Sequence, residues 1–93
     1  MSIVVLPTNA FRNDSKQLLK RSPHIAKALS ETLSQLSDDP SHPTLRTHKL
    51  KGNLAETWAC SVAYDLRIVF EFIQHEGAKA ILLHSVGTHD DVY

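Results

Sequence analysis

The chain has one cysteine, Cys60, so no intramolecular disulfide can hold it together. Cys60 falls in an alternating apolar segment and reads as a small buried hydrophobe. No apolar run approaches the ~20 residues of a membrane-spanning helix. The stretch from Met1 to Leu6, closed by Pro7, is too short for a signal peptide. Neither sign of charge is in excess, since Lys+Arg and Asp+Glu number 10 each. That balance argues against finding nucleic acid by bulk attraction, although a local basic patch can act within a neutral total. Six histidines are present, yet none forms an HxH or HxxxH pair, and one cysteine cannot build a thiolate centre. No metal site and no cofactor are therefore expected. Repeats and low-complexity segments are absent. A chain of 93 residues buries only about 60% of its unfolded surface. One domain over 1–93 is expected, soluble and cytoplasmic, with a thin core.

What is present divides into two halves of different period. Residues 3–6, IVVL, are β-branched and closed by Pro7, which predicts a first strand. Thr8 or Asn9 then caps a helix whose apolar stripe is Phe11, Leu18 and Leu19, at i, i+7 and i+8. Its other face carries Arg12, Lys16, Lys20 and Arg21. Ser22-Pro23 looks like a second N-cap with proline at the first helical position. From there Ile25, Ala28, Leu29, Thr32, Leu33 and Leu36 repeat at helical spacing until SDDPSHP stops the helix. The two helices form a hairpin.

Beyond it, TLRTHKLKG reads as a short polar strand or extended loop. ETWACSV and DLRIVFEF alternate, and AKAILLHSV is apolar on both faces through Ile81 to Leu83, as a central strand is. Gly77 and Gly87 bracket that last strand. The expected fold is α+β: β-α-α-β-β-β, with a further strand possible, and a helical hairpin on one face of a small, mainly antiparallel sheet.

Register then decides which side chains share a face. A two-residue loop, Ala63-Tyr64, would set Val62 opposite Asp65 and Cys60 opposite Arg67, mixing core and charge on one surface. A three-residue loop, Val62 to Tyr64, pairs Ser61 with Asp65 and Ala59 with Arg67. Trp58, Cys60, Leu66, Ile68 and Phe70 then face the helices. The opposite face is polar, with Asp65 and Arg67 about 6.6–6.8 Å apart along the strand. That pair reads either as a solvated ion pair or as part of a site.

RTHKLKG gathers Arg46, His48, Lys49 and Lys51 within six residues, the densest basic cluster outside the first helices. It reads either as a solvated loop or as a phosphate-contacting segment. His24, His42 and His75 flank predicted turns and are expected to be exposed. His84, inside an apolar strand, reads as an ordinary strand residue.

The order βααβββ, followed by HKLKG, WACSVAYDLRIVFEF and LLHSVGTHDDVY, resembles the RelE/ParE toxin superfamily along essentially the whole chain. Within it the chain is most similar to YafQ-like RelE/StbE messenger-RNA interferases. The resemblance implies the toxin of a type II toxin-antitoxin (plasmid stabilization) system. Such a toxin enters the ribosome and cuts messenger RNA without metal. The 2′-hydroxyl attacks the adjacent phosphate, leaving a 2′,3′-cyclic phosphate and a 5′-hydroxyl. The chemistry needs a base, an acid and cations on the phosphorane.

Matched by motif, HKL places His48 at the family's first histidine. YDLRIVF places Asp65 at its aspartate, and GTHDDVY places His89 at its last histidine. Tyr93 falls on the C-terminal aromatic, and Arg67 on a phosphate-stabilising arginine. Arg46, Lys49, Lys51 and Ser61 are the accompanying RNA- and phosphate-binding candidates. One position departs from the pattern: Ser61 stands where YafQ has a further histidine, and a hydroxyl cannot shuttle a proton near neutral pH as imidazole does.

Gly87 is expected to end the last strand and turn the chain back over the open face. His89 and Tyr93 would then come beside Asp65 and Arg67, unless Val92 and Tyr93 only cover the edge of the core. Partners implied are a cognate antitoxin, the ribosome and messenger RNA. The antitoxin would cover the polar face or clamp the helical hairpin with an amphipathic helix. Alternatives on the same fold are a ParE-like gyrase inhibitor and a degenerate member that only binds its antitoxin.

Overall fold

A computed structural model describes residues 2–50 and 56–88. In chain order these form β1 (Val4–Pro7), α1 (Asn9–Arg21), α2 (Ala26–Asp38), β2 (His48–Lys49), β3 (Trp58–Ala63), β4 (Leu66–His75) and β5 (Ala78–Thr88). The described strands make one sheet in the order β1-β5-β4-β3-β2. Only β1 runs parallel to its neighbour, β5; the other pairings are antiparallel. The expected α+β architecture is the one observed. Helix α1 packs over β5, and α2 packs against β3 and β1.

Thr8 explains why β1 gives way to a helix. Pro7, the last residue of β1, has no N–H to continue a ladder. Thr8 then takes extended backbone and accepts a hydrogen bond from the Phe11 N–H at 3.1 Å, the N-cap geometry. Its own hydroxyl donates to the Leu83 carbonyl at 2.8 Å, so the cap also ties α1 to β5. Asp14 repeats the tie one turn on, its carboxylate accepting from the Val86 N–H at 3.3 Å.

The second helix begins later than its sequence suggests. Pro23–Ile25 form a 3-10 turn, Ser22 makes no side-chain cap, and α2 starts at Ala26. Proline fixes the backbone angle of the first turn in either helix type, so the Ser-Pro signal marks the turn rather than the α-helix itself. The predicted stripe is otherwise correct, with Leu29, Thr32 and Leu36 buried. Ser37 closes α2 onto the start of β1, donating its hydroxyl to Ile3 O at 2.6 Å.

Leu36, Cys60, Ile68, Phe70, Ile81 and Leu83 are the largest fully buried side chains, joining α2 to β3, β4 and β5 in one core. Phe70 and Phe72 meet edge to face at 5.5 Å. Glu76 and Gly77 form the two-residue β4–β5 turn with φ of 52° and 79°. Two left-handed residues are what a type I′ hairpin requires, and glycine meets that at no steric cost.

The β3–β4 register differs from the expected one. Ser61 pairs with Arg67, Cys60 with Ile68 and Ala63 with Leu66, with a bulge between Ser61 and Ala63. The strands have slid by two residues relative to the expectation, which preserves which side chains face the helices. The bulge is the reason. It places an extra residue in β3, so the apolar faces stay aligned while the turn contracts to Tyr64-Asp65. Asp65 therefore lies in the turn, at φ 59°, and not in the strand beside Arg67. Gly87 is corrected as well: β5 continues through it to Thr88, and Gly87 stands opposite Arg67. A second bulge between Val69 and Phe70 leaves His84 without a cross-strand partner in β4. Its Nε2 lies 3.5 Å from Glu71 Oε2.

Candidate active site at the open edge of β3

Strand β2 is two residues long and pairs only with Trp58 and Ala59 of β3. Above that point, among the described residues, no strand pairs with the β3 edge from Ser61 to Ala63. The chain from α2 reaches β2 through a 3-10 turn, Pro43–Leu45, followed by Arg46 in the left-handed conformation, φ 51°. His42 caps the turn, its Nδ1 accepting from the Thr44 N–H at 3.2 Å. The turn and the β3–β4 hairpin border a cleft of about 410 Å³, lined by Thr44, Arg46, Ser61, Val62, Ala63, Tyr64, Asp65 and Arg67.

Arg67 lines this cleft. Its Nη1 donates to the carbonyls of Ala63 and Leu66, each at 3.3 Å, so the hairpin backbone holds the guanidinium in place. Its neighbour on β5 is Gly87, which puts no side chain beside it. Glycine at such a position marks close approach of another group. Arg46, from the 3-10 turn, brings a second arginine to the lining of the cleft. Two arginines against one carboxylate, Asp65, make a cationic notch in a chain with no net charge. That is the electrostatic form of a phosphate site, because guanidinium presents its donors in a fork matched to phosphate oxygens.

The structure thus brings together four of the nine predicted residues: Arg46, Ser61, Asp65 and Arg67. His48 and Lys49 do not line the cleft. They are exposed on β2, where His48 pairs with Ala59 and its Nδ1 lies 3.0 Å from Arg46 O. Lys51, His89 and Tyr93 lie outside the described residues, and so does the expected return of the chain over the sheet. Four lining residues were missed: Thr44, Val62, Ala63 and the fully exposed Tyr64. An aromatic inside a predicted hairpin loop was the available signal for Tyr64. Nothing local marks Thr44, which depends on how the proline-rich link packs.

Cys60, next to Ser61 in sequence, takes no part as a nucleophile. It is fully buried, and burial pushes its thiol up to about 12, against smaller lowering by a backbone hydrogen bond with Ile68 and by the Arg67 charge. Among the described residues, no three His, Cys, Asp or Glu side chains cluster as a metal site, and no helix is long and apolar enough to cross a membrane.

Two helices on a mixed sheet are a fold shared by solved bacterial toxins. Escherichia coli YafQ superposes with a TM-score of 0.80 at 16% identity, covering 98% of each chain. A metal-bound toxin from Helicobacter pylori gives 0.78 at 25% identity, covering 98% of this chain and 99% of that one. YafQ in the Escherichia coli DinJ–YafQ toxin–antitoxin complex gives 0.78 at 16% identity, covering 100% of this chain and 99% of that one. No curated protein matches the chain in sequence. Residues 4–93 match the family described as bacterial toxin of type II toxin-antitoxin system, YafQ, and the chain belongs to that family.

Proposed function

We propose that this toxin is a ribosome-dependent endoribonuclease, cutting messenger RNA by metal-independent attack of a 2′-hydroxyl on the adjacent phosphate. The observation that supports it most directly is the cleft lined by Arg46 and Arg67 together with Ser61 and Asp65. The scissile phosphate sits between the two guanidinium groups, which neutralise charge as the pentacoordinate phosphorane forms. Fixing Arg67 on two hairpin carbonyls before substrate arrives removes reorganisation from the reaction step. Asp65, at the tip, orients an imidazole or the attacking hydroxyl. His48 and His89 divide the base and acid roles, since Ser61 supplies no titrating group near neutral pH. The ring of Tyr64 at the cleft mouth, and that of Tyr93, are surfaces for an unstacked base. Lys49 and Lys51 extend the positive track along the RNA backbone.

The partner that silences such a site is a cognate antitoxin, in keeping with the DinJ–YafQ complexes of Escherichia coli. Covering the cleft is enough to exclude RNA. The test is cleavage of a defined message on purified ribosomes, mapped by primer extension, for wild type, Arg67→Ala and His89→Ala. Cuts by wild type that both variants lose support the reading. Uncut message with wild type overturns it and leaves a binding-only toxin.

A further inference from the structure

A second pocket adjoins the cleft. It encloses about 270 Å³, and Thr44, Ser61 and Val62 form a wall common to both cavities. Its far side is α2, through Glu31, Thr32 and Gln35. The two cavities make one groove along the open edge of β3, with opposite chemistry at its ends. Arg46 and Arg67 stand at one end, a carboxylate and an amide at the other.

Thr32 donates its hydroxyl to Ala28 O, its own helix backbone, at 2.8 Å. Glu31 and Gln35, four residues apart and so on one helix face, are left as the α2 groups that can bond a ligand. Glu31 pairs with Lys27 at 4.0 Å, but both side chains are mostly exposed, at 67% and 88%. A pair of that kind contributes little and exchanges readily for a ligand's donors.

A carboxylate repels phosphate, so this end of the groove does not suit the RNA backbone. It suits a base edge rich in donors. The pocket falls just below the roughly 300–1,000 Å³ of sites that enclose whole small ligands, so it takes one base and not a nucleotide. Only guanine offers two adjacent donors, N1–H and N2–H₂, to the two oxygens of one carboxylate, and it leaves O6 for an amide N–H₂. We infer that the pocket between α2 and β3 is a guanine subsite, with Glu31 accepting from N1–H and N2–H₂ and Gln35 donating to O6. It holds the base of a nucleotide whose phosphate lies in the arginine cleft, and so sets sequence preference. This rests on the reading of that cleft as the phosphate site.

Titration with the four nucleoside monophosphates, followed by backbone amide NMR, tests it without ribosome or catalysis. GMP is expected to shift amides at Glu31 and Gln35 together with those at Arg46 and Arg67, while AMP, CMP and UMP shift the arginine end alone. Glu31→Gln should weaken GMP binding about tenfold and leave the other three unchanged, the range of one lost bidentate base contact. Equal shifts at Glu31 and Gln35 from all four nucleotides, or none from GMP, overturn the inference. A toxin that fails to cut RNA on ribosomes would lose the enzymatic reading, yet the GMP titration would still stand or fall on its own.

Discussion

Ser61 stands directly opposite Arg67 across the β3–β4 ladder, at the edge of the sheet beside the cleft. The pairing gives the position its chemical meaning. On the proposed reading, a side chain at 61 meets the same phosphate as the guanidinium at 67, so its identity decides whether that phosphate meets a hydroxyl or a titratable ring. A serine there can donate a hydrogen bond but cannot move a proton near pH 7.

Ser61→His should therefore raise the cleavage rate. An added general acid or base contributes up to about 10²–10⁴-fold when placed well, and tenfold is the expectation for an unoptimised site. The variant should also gain an inflection near pH 6.5 in its rate profile, the ordinary titration range of imidazole. Single-turnover cleavage on ribosomes between pH 5.5 and 8.5 measures both. An unchanged rate and profile would place position 61 away from any proton in flight.

Arg67 separates charge from geometry. Arg67→Lys keeps a cation but loses the fork that bonds Ala63 O and Leu66 O at once. Cleavage should fall about 10–100-fold for lysine and about 10²–10³-fold for alanine. Melting should shift by no more than a hydrogen bond's worth, about 1 kcal/mol. Parallel losses of rate and stability would instead make Arg67 a hairpin strut.

Much of the fold was legible because burial has a period. The stripe through Leu29 and Leu36, and the alternation through Cys60, Ile68 and Phe70, needed only the two repeat lengths. Bulges are a different matter. They add a residue without changing which side chains are apolar, so counting loop residues from Val62 to Asp65 missed the one absorbed in β3, and Asp65 moved from strand to turn. Gly87 misled for a related reason. It reads as a stop, but inside β5 it leaves room beside Arg67. Arg46 was picked out in the basic cluster RTHKLKG, and Asp65 and Arg67 by strand register and the match of YDLRIVF. Their meeting with Thr44 depended on β2 ending after two residues, and its paired partner offers no local sign of that.

Asp65 tests its own dual position. At φ 59° aspartate and asparagine are tolerated far better than other side chains that carry a Cβ. Asp65→Asn should leave the melting temperature in place while lowering cleavage at least tenfold, because it removes the charge and keeps the turn. Asp65→Ala should cost about 1 kcal/mol or more besides, the scale of strain for a residue forced left-handed. Circular-dichroism melts beside the cleavage assay separate the two. Full activity in Asp65→Asn would reduce the aspartate to a turn residue.

Cys60 makes the last prediction, through linkage. Its thiol is raised from 9.0 to about 12 in the fold, chiefly by burial. The folded chain therefore keeps a proton that the unfolded chain releases above pH 9. Stability from this source is complete below pH 9 and is lost as pH climbs toward 12, at about 1.4 kcal/mol per pH unit. The comparison is with Cys60→Ala, which shares every other ionisable group. At pH 8 the wild type should be the more stable by about 1 kcal/mol, the packing of one buried sulfur. Between pH 9 and 11 that advantage should shrink and then reverse. Urea unfolding at pH 8, 9.5 and 10.5 reads the gap directly, and a gap that stays constant would mean the thiol titrates alike in both states.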